Sequence, residues 1–108
     1  MANNYKFTGV ALATTSETAL LTAAADTTVV IKSIRVTNNT SNTPTISMDV
    51  SDNSASAEYT ILKTQALVAN TAVEILTVPL VLEASDSLKA TMSATDSTHI
   101  GMSYLVIS

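Results

Sequence analysis

The chain has no cysteine and no tryptophan, only two glycines, two prolines and a single histidine. Without cysteine, neither a disulfide framework nor a thiolate metal site can form. Charge is also scarce: 13% of the residues are charged, with five Lys and Arg against nine Asp and Glu, for a net charge of −4. The basic residues Lys6, Lys32, Arg35, Lys63 and Lys89 are scattered along the chain. Binding to phosphate backbones needs a clustered positive face, so no nucleic-acid partner is expected. No apolar run approaches the roughly 18 residues of a membrane-crossing helix, and no membrane partner is expected. The opening segment MANNYKFTGVALATT has neither the charged head nor the apolar core of a signal peptide. Aromatic residues are limited to Tyr5, Phe7, Tyr59 and Tyr104, which leaves few platforms for stacking on sugars or bases.

What remains is a chain of 108 residues, 46% hydrophobic, whose polar positions are mostly Thr, Ser and Asn. The apolar share is large enough to drive collapse, and the length suits one domain, residues 1–108. Period-2 alternation stands out in three places. Ile46, Met48 and Val50 alternate with polar neighbours, as do Leu88, Ala90, Met92 and Ala94, and then Ile100, Met102, Tyr104 and Val106. Alternation of this kind places one set of side chains on a core face and the other outside. Clusters of Asn, Asp, Ser and Thr recur about every ten residues and take the place of Gly and Pro as turn signals.

These features predict an all-β, antiparallel β-sandwich, jelly-roll-like, of about eight strands. The expected strands are Tyr5–Leu12, Thr18–Ala23, Val29–Asn38, Thr45–Val50, Glu58–Leu67, Ala72–Leu76, a hairpin of Leu80–Leu82 with Leu88–Ala94, and His99–Ile107. The run TALLTAAA over 18–25 also fits two turns of helix, so strand and short helix both stand there. The expected core contains Ile34, Val36, Ile46, Met48, Val50, Leu88, Met92, Ile100, Met102 and Tyr104. Leu105 and Ile107 interrupt the polar side of the last strand, so that end is expected to be covered on both faces.

No constellation reads as a catalytic centre. His99 and Ser103 share a strand face but stand about 13 Å apart by the rise per residue, too far for a hydrogen bond. With Asp96 they would need a pocket that gathers separate elements. Asp49, Asp52, Asn53 and Glu58 are the densest acidic group, but their spacing lacks the glycine of a calcium loop, and a hairpin turn explains them. Ser85 and Asp86 read as the centre of a hairpin turn rather than half of a carboxylate pair with Glu83. Lys32 and Arg35, three apart, are expected on opposite faces of their strand. The expectation is therefore no catalytic residue, no cofactor and no metal. Tyr5, Phe7, Lys32 and Arg35 are the candidate interface residues, with residues 1–7 as a candidate N-terminal arm.

Over Thr27–Asn39 and Leu80–Ala94, the stretches VVIKSIRVTNN and LVLEASDSLKATMSA resemble small virion structural proteins of tailed bacteriophages. Such chains carry an IRVTN-like strand end, then a Leu-x-Leu-Glu-Ala-Gly-Asp-x-Leu-like turn before the next strand. Here Ser85 stands at the glycine position. The resemblance implies a β-sandwich located in the virion with no catalytic residues to carry over. It points to a capsid decoration (cement) protein that binds the major capsid protein or other virion proteins as a homo-oligomer or in many copies. A tail, neck or fibre component is the alternative within the particle. A small carbohydrate-binding module or hydrolase is the alternative outside it.

Overall fold

Nine strands, all antiparallel, account for the chain in the computed structural model, which describes residues 3–108. They are β1 (Asn3–Leu12), β2 (Thr18–Thr22), β3 (Thr28–Asn38), β4 (Thr45–Asp52), β5 (Ala57–Ala66), β6 (Ala72–Glu74), β7 (Leu80–Leu82), β8 (Ser87–Met92) and β9 (Thr98–Ile107). Residues 18–22 of the TALLTAAA run form a strand, not a helix.

The pairing follows a nested order. β1 pairs β9, β2 pairs β8, β3 pairs β6 and β7, and β4 pairs β5. This is one long antiparallel ribbon whose tip is the β4–β5 hairpin. Rolling the ribbon adds two further contacts, β3 with β9 and β4 with β8. The result is a sheet in the order β1-β9-β3-β6, with β7 also on β3, facing a sheet in the order β2-β8-β4-β5. With the three-residue β7 set aside, this is the strand order of a jelly roll.

The inward sets of both sheets fill the space between them. Ile31, Ile34, Val36, Ile100 and Met102 from the first sheet are buried, as are Ile46, Met48, Leu88, Ala90 and Met92 from the second. Val50 and Tyr104 are half-buried at the margin of this core. Polar groups enter only with partners. Asn38 is buried, and its amide donates to the carbonyls of Asn42 and Leu67 while its oxygen accepts from Thr40. Among the described residues, no buried side-chain polar atom lacks a partner.

Two details differ from the sequence reading. First, Leu80–Leu82 and Ser87–Met92 are not a hairpin: β7 joins β3 in one sheet and β8 joins β4 in the other. The turn between them, Glu83–Asp86, is a corner. It closes through Asp86 N–H to the Glu83 carbonyl, 3.0 Å, and Ser85 has φ of 70°, the dihedral pattern of a type II turn. Ala23, just after β2, holds the corner by accepting from Ser85 N–H and donating to the Asp86 carbonyl. Ala84 and Ser85 are thus the central pair, and Asp86 closes the turn. Second, β3 carries a bulge between Ile31 and Ser33 against β9. Ile31 and Ile34 are both fully buried although three apart, and the extra residue, Lys32, puts Lys32 and Arg35 on the same outer side.

With so few glycines, the chain places Asp26, Ser56, Asn70 and Ser85 at positive φ in its turns. Short polar side chains tolerate this region better than bulky ones.

Candidate functional site

The two outer faces of the sandwich differ sharply. On the β2-β8-β4-β5 sheet, the cross-strand pairs Ser47–Thr91, Asp49–Lys89 and Ser51–Ser87 are polar, and Thr22 and Ser87 share a hydroxyl hydrogen bond of 2.9 Å. Lys89 Nζ stands 3.9 Å from both Glu17 Oε1 and Glu58 Oε1. The carboxylates of Glu17, Asp49 and Glu58 gather closely, and this lysine supplies the positive charge among them.

The outer face of the β1-β9-β3-β6 sheet is built differently. The registers place Tyr5 opposite Leu105, Leu105 opposite Val30, and Val30 opposite Val81. This is an unbroken apolar row across four strands. Tyr5 is 77% exposed and Phe7, two residues on, 70% exposed. Neither aromatic is in the core. Leu105 is half-buried, with Tyr5 and Val30 as its neighbours in the row.

Beyond Phe7 the same face opens into a groove of about 680 Å³. Its floor is the cross-strand pair Gly9–Gly101, the only two glycines in the chain. Arg35 lies beside Gly101 on β3, and His99, flanked by Ala11 and Thr37, closes the far end. On the β3 side, Glu74 is held in place: Ser33 Oγ donates to its Oε1 at 2.7 Å and Ile34 N–H to its Oε2 at 2.8 Å. Among the described residues, Arg35 and Lys32 form no ion pair.

The groove does not assemble a triad. His99 and Ser103 face it with Gly101 between them, while the Asp96 carboxylate accepts from the Asn42 amide at 2.8 Å. The acidic loop is a structured hairpin tip. Asp52 Oδ1 accepts from Ser54 Oγ and Ala55 N–H, and Asn53 N–H donates to Asp86 Oδ1 at 2.9 Å. Asp86, 5% exposed, also accepts from Glu83 N–H at 3.0 Å. It therefore ties the β4–β5 tip to the corner before β8.

Of the candidate interface residues, Tyr5, Phe7, Lys32 and Arg35 all belong to this one sheet, and all are exposed. The described part of the candidate arm, Asn3–Phe7, is paired along β9 from Asn3–Ile107 to Phe7–Ser103. Met1 and Ala2 lie outside the described residues. Gly9 and Gly101 were not singled out in the sequence, although an isolated glycine within a strand pattern is a signal of close approach. The chain matches no protein-family model and no curated protein.

Proposed function

We propose that this protein is a virion structural protein, a capsid decoration (cement) protein that binds the outer surface of a phage head. The observation that carries this reading is the apolar row Tyr5–Leu105–Val30–Val81 beside exposed Phe7, set against the polar β4–β8 pairs of the opposite sheet. A contiguous apolar patch with aromatic anchors on one side of a small domain favours attachment to another protein. Burial of that patch contributes about 25 cal/mol per Å² of apolar area, and repetition over many copies multiplies a modest single contact. The jelly roll is a fold that capsid proteins use, and the Ser- and Thr-rich polar face suits the side turned to solvent.

A second reading rests on the groove. An aromatic ring beside a flat glycine floor, with Arg35, His99 and Thr37 at its margin, fits a small carbohydrate-binding module, and lectins share the jelly-roll architecture. The test separates the two. Purified protein is sedimented with heads of the phage that encodes it, in parallel with a Tyr5→Ser, Val81→Ser variant. Co-sedimentation of the parent and loss in the variant support decoration. Absence of the parent from a cryo-EM map of the head sinks it, and location on the tail moves the role to that organelle. Glycan-array binding abolished by Phe7→Ala supports the groove instead.

A further inference from the structure

The four sheet edges of this sandwich are not equally guarded. β6 and β7 are three residues each. β2 is five residues with a register shift between Ala19 and Leu21. β5 is long, but its ladder to β4 shifts twice. Short strands, bulges, prolines and charged side chains are the means by which proteins keep edges from pairing with other chains. Of these, β1 has only one charged side chain, Lys6. It runs ten residues in unbroken register against β9, from Asn3–Ile107 to Leu12–Thr98, and contains no proline. Its other side pairs with no strand among the described residues. The Phe7 ring leans away from that side, over Gly101.

The order of side chains along β1 says what fits there. Its outward set is Tyr5, Phe7, Gly9, Ala11: two large residues, then two small ones. In an antiparallel pair centred on Thr8, this order meets its own reverse. Tyr5 faces Ala11 of the second copy, and Phe7 faces Gly9. The strand's one charge, Lys6, would face Val10, and the two lysines would stand about 13 Å apart along the ladder, beyond a Debye length at ordinary salt. A pair centred on Lys6 would instead set like charges directly opposite each other, which is unfavourable.

We infer that β1 is a self-pairing edge: two copies of this chain associate by antiparallel β1–β1 addition centred on Thr8, joining their two five-stranded sheets into one. This does not depend on the virion reading. It would place two copies of the apolar row on one face, about 20 Å out of line along the strands.

The absence of cysteine makes the test clean. Directly opposed residues of an antiparallel pair have Cα atoms about 4.5–5.5 Å apart, within disulfide reach. In the Thr8-centred register, Val10 and its copy are about four residues out of line, roughly 13 Å apart, and out of reach. The experiment is mild oxidation of Thr8→Cys and Val10→Cys variants, each checked for β-type circular dichroism, alongside sedimentation equilibrium of the parent chain. The inference expects a parent of twice the monomer mass, near-complete cross-linking of Thr8→Cys, and at least tenfold slower cross-linking of Val10→Cys. A monomeric parent at its highest soluble concentration overturns it. So does a dimer in which Thr8→Cys fails to cross-link, because the interface then lies elsewhere. Equal cross-linking of both variants overturns the register.

Discussion

The Phe7 ring reaches over Gly101: a Cβ placed at Gly101 would come within 3.2 Å of two carbons of the ring. A side chain there would need the ring to shift by a few tenths of an ångström. The pairing of the chain's only phenylalanine with one of its two glycines therefore sets the shape of the outer face of this sheet.

Phe7→Ala should remove an upfield ring-current shift from the Gly101 α-protons while lowering stability by less than about 1 kcal/mol, because the ring is mostly solvent-exposed. Proton NMR of the two glycines, with chemical denaturation, measures both. Gly101 shifts unchanged by the substitution would place the ring elsewhere.

Asp86→Ala should cost about 2–4 kcal/mol. It strands two backbone donors, the N–H groups of Asn53 and Glu83, at a largely buried position. Asp86→Asn keeps an acceptor and should cost less. Urea unfolding of the two variants tests the order. Equal stabilities would show that the carboxylate does not tie the hairpin tip to the corner.

Ser85→Gly should stabilise the fold by about 0.5–1 kcal/mol, since Ser85 holds a φ of 70° that a glycine adopts without steric cost. Ser85→Val should destabilise by more than that. A loss of melting temperature in the glycine variant would contradict the type II geometry of this corner.

EDTA or added calcium should leave the melting temperature unchanged. In the Glu17, Asp49, Glu58 cluster, Lys89 Nζ supplies the cationic charge, 3.9 Å from two of the carboxylates. A shift of several degrees on adding or removing calcium would reveal a bound ion linked to folding.

Much of the fold was legible because alternation is local. Ile46, Met48, Leu88, Met92, Ile100 and Met102 all sit in the core their period-2 pattern assigns them. The β7–β8 corner was not legible. Ser85 and Asp86 are equally good in a hairpin and in a turn between sheets, and the difference is made by Ala23, sixty residues upstream, which hydrogen-bonds the corner. The side on which Lys32 and Arg35 lie was also hidden, because a bulge breaks the parity that places them. At the candidate site, period two alone brings Tyr5 and Phe7 to one face. Their row partners Leu105, Val30 and Val81 depend on register between distant strands, which no local pattern carries.

The nesting of the ladders has a kinetic meaning. Only the β4–β5 pair is close in sequence. Every other rung joins segments that have to search for each other across long loops, and the widest loop separates β1 from β9. Chains whose contacts span such distances fold in milliseconds to seconds rather than microseconds. The hairpin is the natural starting point and the β1–β9 ladder the natural finish. Stopped-flow refolding followed by tyrosine fluorescence should fall in that slow range, and a microsecond phase carrying the full amplitude would contradict it. Until β1 docks, the edge of β9 is bare. A newly made chain is therefore most exposed to pairing with a neighbour in the interval before its first strand closes against its ninth.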